Sequence, residues 1–195
     1  MTVANILTTS RILLSPLFVI VFLGCEGLWA RVFALFLVVV MELTDAFDGY
    51  FARKRNEVSD FGKILDPLAD SLSRLTIFIS FLVAGIAPIW MVLVFLYRDS
   101  TISTIRIVCA YNKLVLAART SGKIKAIVQA TAIISILVGR IAEYYFGEIA
   151  NQAWAAQFPW QNIYYWLLVA AVLITIYSLY DYVRKNWDSL KPFLR

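Results

Sequence analysis

Long apolar segments alternate with short polar ones along the whole of this 195-residue chain. Six of the segments are close to or longer than the roughly 20 residues that a helix needs to cross a bilayer. We place the predicted spans at 6–23, 29–53, 62–84, 88–112, 123–146 and 160–184. The pattern therefore predicts an all-α, polytopic membrane protein with six transmembrane helices around a polar cavity, in which residues 1–195 form a single domain.

The basic residues predict how these spans are oriented. They cluster beside the loop after span two, beside the loop after span four, and after span six. Because cytoplasmic loops carry an excess of Lys and Arg, both termini should be cytoplasmic and the cavity should face the cytoplasm. The opening stretch lacks the basic region and cleavage motif of a secretory signal peptide. We expect a multi-pass protein of the inner (cytoplasmic) membrane.

The composition narrows the chemistry. The chain is 61% hydrophobic and contains no histidine, which excludes imidazole as a base, a nucleophile or a metal ligand. Cys25 and Cys109 are far apart in sequence, so we expect neither a disulfide nor a cysteine metal site. The net charge of +5 favours contact with anionic phospholipid head groups, and no nucleic-acid partner is expected.

Four aspartates interrupt the apolar pattern where spans two and three approach their shared basic loop. Asp45 and Asp48 are three residues apart on span two, and Asp66 and Asp70 are four apart on span three. Each spacing places a pair on one helix face. The two pairs lie at matching depth on antiparallel neighbours, so the four carboxylates can converge just below the cytoplasmic surface.

Such a cluster needs cations, because four close carboxylates cannot all stay ionised without them. Arg53 and Arg74 could supply the charge as a structural network, or Mg²⁺ or Mn²⁺ could bind to the hard oxygen ligands. We favour a metal site with room for two ions about 4 Å apart, which suits phosphoryl transfer. Gly49 and Ala52 would leave space for a ligand or allow tight helix packing, and Arg53 could grip a diphosphate.

The same stretch carries a recognisable motif, Asp45-x-x-Asp48-Gly49-x-x-Ala52-Arg53, eight residues, then Gly62-x-x-x-Asp66-x-x-x-Asp70. It matches the signature of the CDP-alcohol phosphatidyltransferases, so residues 45–70 resemble that family. The segments "ANILTTSRILLSPLF" and "RDSTISTIRIVCAYNKLVLAARTSGKIKAIVQ" are similar to bacterial phosphatidylglycerophosphate synthases. The chain departs from that branch at three positions, namely Ser71, Asp99 and Ala126.

The resemblance implies transfer of the phosphatidyl group of CDP-diacylglycerol to sn-glycerol 3-phosphate, with release of CMP, by a homodimer that uses two Mg²⁺ or Mn²⁺ ions. It implies that Asp45, Asp48, Asp66 and Asp70 ligate metal, with Asp70 also the general base. The residues it implies for the CDP-lipid are Asn5, Thr8, Gly49, Ala52, Arg53 and Ser59. Asn5 and Ser59 could instead be helix caps, which is a simpler interpretation of these two residues.

An acceptor that carries its own phosphate needs fixed cations near the carboxylates. The best candidates are Arg106, Lys123 and Lys125, although the two lysines could merely be positive-inside residues. Other acceptors of the same reaction class stay open, namely inositol phosphate, serine and choline. A divalent-cation transporter is the alternative from another class, but all four aspartates are predicted at one end of the spans.

Overall fold

The computed structural model describes residues 3–55, 60–111, 119–187 and 191, and within them the side chains of 9–45, 69–107, 109, 119–187 and 191. The described chain is helical between its turns, which confirms the predicted all-α class. The helices are α1 (Val3–Gly24), α2 (Leu28–Arg55), α3 (Asp60–Val83), α4 (Ile89–Tyr111), α5 (Thr120–Tyr144), α6 (Ala153–Gln157) and α7 (Trp160–Lys185).

The six long helices begin and end within three residues of the predicted spans. Two features were not predicted. A π-helical turn, Tyr145–Ile149, extends α5, and the five-residue α6 follows it before α7 begins. Both lie at or after the end of the predicted fifth span and before the start of the sixth, where the apolar pattern is too short to predict a separate element.

The long helices form a closed ring in which each packs mainly against two neighbours. The order around the ring is α1, α2, α5, α7, α4, α3 and back to α1. Its interior is filled by buried side chains such as Phe18, Val38, Phe78 and Ile133. Helices that follow one another in sequence are not always neighbours in the ring. Residues of α2, α3, α4 and α5 line one cavity, which is described below.

Local sequence explains how the chain turns between α3 and α4. Gly85 has φ of +70°, a left-handed conformation that side chains rarely adopt. The N–H of Ile86 donates to the carbonyl of Phe81 at 2.8 Å, and the N–H of Gly85 donates to that of Leu82 at 3.0 Å. These two bonds satisfy carbonyls at the end of α3 and reverse the chain toward α4.

Within the described residues, two helices are long and apolar enough to cross a membrane. They are Thr120–Ile149 and Trp160–Lys185, with mean hydropathies of 1.7 and 1.8. The other long helices carry charged residues inside their apolar stretches, such as Glu42 on α2, Arg74 on α3 and Asp99 on α4. Those charges converge on the site described next.

Candidate active site

A polar cavity of about 250 Å³ lies where four helices of the ring meet. It contains two predicted metal ligands and two predicted acceptor-binding cations. The lining residues are Asp45 of α2, Asp70 and Ser71 of α3, Arg98, Asp99, Ile102, Ser103 and Arg106 of α4, and Lys125 of α5. One side of the cavity is therefore acidic and the other is mainly basic.

The acidic side is built from Asp45 and Asp70, which two buried arginines hold. Arg11 of α1 pairs with Asp45, and its Nη1 lies 4.0 Å from Oδ1 of Asp70. Arg74 of α3 places Nε 3.2 Å from Oδ1 of Asp70 and Nη2 3.9 Å from Oδ2 of Asp45. Because both carboxylates lie within 4.0 Å of the same nitrogen of Arg11, the predicted convergence of α2 and α3 is observed for this pair.

A third carboxylate belongs to the same network. Nη2 of Arg74 donates to Oε2 of Glu42 at 3.4 Å, and Nη1 donates to the carbonyl of Ala126 at 3.2 Å. Among the described side chains, two guanidiniums thus face three carboxylates. The network retains an excess of negative charge. Arg74 forms the ion pairs with the carboxylates that the sequence analysis gave as one alternative.

These residues fit a divalent metal as far as the structure describes them. The side chains of Asp45 and Asp70 are 39% and 37% exposed, whereas those of Arg11 and Arg74 are 3% and 6% exposed. The arginines therefore support the carboxylates from behind and leave oxygen atoms facing the cavity, as hard-ligand sites for Mg²⁺ or Mn²⁺ require. Asp45 and Asp70 line the cavity and Glu42 does not, and no three ligands are placed so that they could hold one metal ion among the described side chains.

The basic side centres on Lys125, which lies within a shared ion pair. Nζ of Lys125 is 2.9 Å and 3.0 Å from the two carboxylate oxygens of Asp99. Arg98 donates from Nη1 to Asp99 at 2.8 Å and from Nη2 to Ser178 of α7 at 2.7 Å. This cluster joins α4, α5 and α7 at the cavity wall.

The other two predicted acceptor cations differ in position. Arg106 is exposed, lines the cavity and places its guanidinium 5.7 Å from the ring centre of Tyr182. Lys123 is exposed on α5 and is not one of the residues that line the cavity. The geometry thus supports a role for Arg106 and Lys125 more directly than one for Lys123.

The remaining predicted residues cannot be compared side chain by side chain. Asn5 and Thr8 lie on α1, Asp66 lies on α3, and four predicted residues of the signature lie on α2. The side chains of all these residues fall outside the described set. Ser59 lies outside the described residues altogether. The four predicted residues on α2 whose side chains fall outside the described set are Asp48, Gly49, Ala52 and Arg53.

Sequence reasoning did not place Arg11, Glu42 or Asp99 in the site. A signal was present, because each is an ionisable residue inside an apolar segment, and such residues usually pair with one another or line a polar cavity. The apolar pattern alone does not identify the partners, which come from different helices.

Comparison with known proteins agrees with this geometry. A family model described as CDP-alcohol phosphatidyltransferase matches residues 1–177. The chain belongs to the CDP-alcohol phosphatidyltransferase family. It is therefore an enzyme of phospholipid biosynthesis, and its family and apolar helices indicate a membrane protein.

Individual relatives carry a more specific name. The chain is 34% identical over 198 residues to the CDP-diacylglycerol–glycerol-3-phosphate 3-phosphatidyltransferase of Bacillus subtilis (strain 168), covering 96% of both chains. Proteins of the same name from Treponema pallidum and Cereibacter sphaeroides are 26% and 34% identical. These matches cover 80% and 77% of this chain and 70% and 69% of the relatives.

Proposed function

We propose that this enzyme transfers the phosphatidyl group of CDP-diacylglycerol to sn-glycerol 3-phosphate, giving phosphatidylglycerophosphate and CMP. The observation that carries the proposal is the single cavity that contains Asp45 and Asp70 on one side and Arg98, Arg106 and Lys125 on the other. Carboxylates suit the metal-dependent handling of the donor diphosphate, and cations suit the phosphate of the acceptor. The names of the relatives support the same pair of substrates.

The acidic side would hold the donor head group. Asp45, Asp48, Asp66 and Asp70 would bind Mg²⁺ or Mn²⁺, which supplies positive charge to the phosphoryl oxygens. The packing of Arg11 and Arg74 behind Asp45 and Asp70 would fix these two carboxylates before substrate arrives, so that little reorganisation is needed. Asn5, Thr8, Gly49, Ala52, Arg53 and Ser59 would contact the cytidine diphosphate.

The chemical step would be a direct displacement. The acceptor hydroxyl gives its proton to Asp70, its oxygen forms a bond to the β-phosphorus, and the bond between that phosphorus and the bridging oxygen breaks as CMP leaves. Asp70 suits the role of base because it is half-exposed at the cavity, and its contacts with Arg11 and Arg74 both involve Oδ1. The basic side would meanwhile hold the acceptor's phosphate and orient its hydroxyl.

A second, apolar cavity would accept an acyl chain of the donor. It has a volume of about 170 Å³ and lies between α3 and α4. It shares Ser71, Asp99 and Ser103 with the polar cavity, so the two are adjacent. Its apolar part is lined by Leu72, Leu75, Phe78, Phe95 and Leu96, with the rings of Phe78 and Phe95 stacked 4.2 Å apart. A lipid could thus keep its chain among apolar groups while its head group enters the polar cavity.

We further propose that all six long helices span the inner membrane, with both termini and the active site on the cytoplasmic side. Cys25 provides a test, because it is exposed just after α1 while Cys109 is buried. A maleimide that cannot cross the membrane should label Cys25 from outside spheroplasts, and the Cys25→Ser variant should stay unlabelled. Labelling that requires membrane disruption would contradict this orientation.

The acceptor is identified by assaying CMP release. Purified protein receives CDP-diacylglycerol, Mg²⁺ or Mn²⁺, and one acceptor at a time from sn-glycerol 3-phosphate, inositol phosphate, serine and choline. We expect release with sn-glycerol 3-phosphate alone. A basic cavity wall disfavours the choline cation and offers little to serine, which has no net charge. The names of the relatives favour sn-glycerol 3-phosphate over inositol phosphate. Release with another acceptor and none with sn-glycerol 3-phosphate would reject this substrate. We also propose that the enzyme is a homodimer, as the family resemblance implies, and a mass measurement of the purified protein tests this.

A further inference from the structure

The polar cavity contains a carboxylate that the scheme above does not use. Asp99 lies on the basic side, where it accepts hydrogen bonds from Lys125 and Arg98, and its side chain is only 15% exposed. An acidic group beside a phosphate-binding surface would weaken binding unless it performed some other task. Its two cationic partners indicate what that task is.

Resting on the proposed function, we propose that Asp99 is a positioning residue that holds Lys125 and Arg98 in the orientation that binds the acceptor's phosphate. Lysine has a flexible four-carbon stem, and its ammonium has no preferred direction of its own. With Nζ at 2.9 Å and 3.0 Å from the two oxygens of Asp99, the ammonium is fixed against the cavity wall. It has three N–H donors, so two can serve Asp99 and one can serve a phosphate oxygen.

Arg98 is fixed at both ends of its guanidinium. Nη1 donates to Asp99 at 2.8 Å, and Nη2 donates to Ser178 at 2.7 Å. The guanidinium therefore cannot turn without breaking one of two short hydrogen bonds. Ser178 is 1% exposed, so the second anchor is part of the packed interior of α7.

The charges of the wall also match a phosphate monoester. Lys125, Arg98 and Asp99 together carry one net positive charge, and Arg106 adds a second. A phosphate monoester carries about 1.5 to 2 negative charges at pH 7. Asp99 thus offsets part of the repulsion between two close cations while leaving enough positive charge for the ligand.

The Asp99→Asn variant distinguishes a positioning role from a simple effect of charge, because the two predict opposite changes in the KM for sn-glycerol 3-phosphate. Loss of a negative charge alone would strengthen phosphate binding and lower the KM for sn-glycerol 3-phosphate. Loss of positioning should raise that KM by about 10-fold or more, the usual effect of losing a charged hydrogen bond. The kcat should change less than about 3-fold, because Asp99 does not touch the reacting atoms.

Two further variants show whether Asp99 acts through its partner. Asp99→Glu keeps both ion pairs and should recover most of the wild-type KM. Lys125→Met should raise the KM by itself, and adding Asp99→Asn to it should raise the KM by less than Asp99→Asn does in the wild type, because only the contact with Arg98 remains to be lost. A full additional rise in the double variant would contradict the inference.

Asp181 supplies a matched control outside the polar cavity. It accepts a hydrogen bond from Ser121 at 2.6 Å and pairs with Lys185 at 3.0 Å. Asp181→Asn thus removes a similarly bonded carboxylate and should leave the KM for sn-glycerol 3-phosphate at its wild-type value. An equal rise in both variants would mean that Asp99 is only a structural link between α4, α5 and α7.

The outcomes distinguish the inference from the proposed function. A wild-type protein that releases no CMP with sn-glycerol 3-phosphate would defeat the proposed function and the inference with it. An active wild type with an unchanged or lowered KM in Asp99→Asn would defeat the inference alone. If Asp99→Asn does not fold, Ser178→Ala decides, because loss of the Arg98 anchor should raise the same KM about 3-fold; an unchanged KM would overturn the inference.

Discussion

The buried ion network of Arg74 predicts that one substitution will both destabilise the protein and increase its response to divalent metal. Arg74 contacts Asp70 at 3.2 Å, Glu42 at 3.4 Å and Asp45 at 3.9 Å, and its own side chain is 6% exposed. Arg74→Met keeps much of the apolar stem and removes the charge. Arg11 would then be the single described guanidinium facing three carboxylates.

The expected loss follows from the burial of these groups. Removing one partner of a buried ion pair costs about 3–5 kcal/mol, because a charge is left uncompensated. Asp45 and Asp70 are more than a third exposed, so water offsets part of the loss and the lower end applies. For a chain of this length, about 3 kcal/mol lowers the melting temperature by about 6–12 °C.

Divalent metal should recover part of this loss. With Arg74 absent, the carboxylates have more negative charge and less competition for their oxygens, so Mg²⁺ should bind more tightly. An ion present at 100 times its dissociation constant stabilises the folded state by about 2.7 kcal/mol. Melting curves followed by tryptophan fluorescence across a Mg²⁺ titration should show a larger upward shift for Arg74→Met than for wild type.

Arg140→Met is the matched control. Arg140 pairs with Glu143 at 2.7 Å, but the two side chains are 29% and 35% exposed, and such a pair contributes only about 0–1 kcal/mol. Its melting temperature should change little and should gain nothing extra from Mg²⁺. Equal losses in the two variants, or equal Mg²⁺ responses in Arg74→Met and wild type, would refute the reasoning.

Four further predictions follow, two from the packing of the helices and the apolar cavity and two from the proposed metal site. A Cβ on Gly139 would lie 2.6 Å from a ring carbon of buried Tyr164, so Gly139→Ala should destabilise the fold by about 1–3 kcal/mol in melting experiments, whereas Gly147→Ala, with no atom within 4 Å, should not. Leu72→Trp should narrow the apolar cavity and raise the KM for CDP-diacylglycerol without changing that for the acceptor; the opposite pattern would exclude this cavity as the acyl site. Asp66→Asn should abolish CMP release while leaving the melting temperature close to wild type, and substantial residual activity would contradict the metal assignment. Chelation by EDTA should stop CMP release, with recovery on addition of Mg²⁺ or Mn²⁺, and full activity in EDTA would exclude a metal requirement.

The helices and part of the site could be predicted from local sequence. Apolar length predicted the six long helices, because each carries a long apolar stretch even where a few charged residues lie inside it. The convergence of Asp45 and Asp70 followed from their equal distance to one short loop, since antiparallel neighbours bring such positions to the same depth. These predictions needed no knowledge of how distant helices pack.

The partners of the charged groups could not be predicted in this way. Lys125 and Asp99 lie 26 residues apart on α5 and α4, and α4 and α5 are not neighbours in the ring order. Asp70 lies four residues before Arg74 on α3, so that contact is local, but the contact of Arg74 with Glu42 depends on how α2 and α3 are rotated. Hydropathy indicates which face of a helix is buried, but it does not indicate which other helix that face packs against.

The arrangement of charge explains why such an enzyme would need both metal ions and fixed side-chain cations. Both proposed substrates are anions, so each half of the cavity has to supply positive charge. On the basic side Lys125, Arg98 and Arg106 provide it directly. On the acidic side the described cations, Arg11 and Arg74, are buried and paired with carboxylates, so they are poorly placed to neutralise a diphosphate. The carboxylates that they support can instead bind divalent ions, which carry more charge into a small space than a guanidinium can. The dependence on metal should therefore lie with the donor, and the dependence on lysine and arginine with the acceptor.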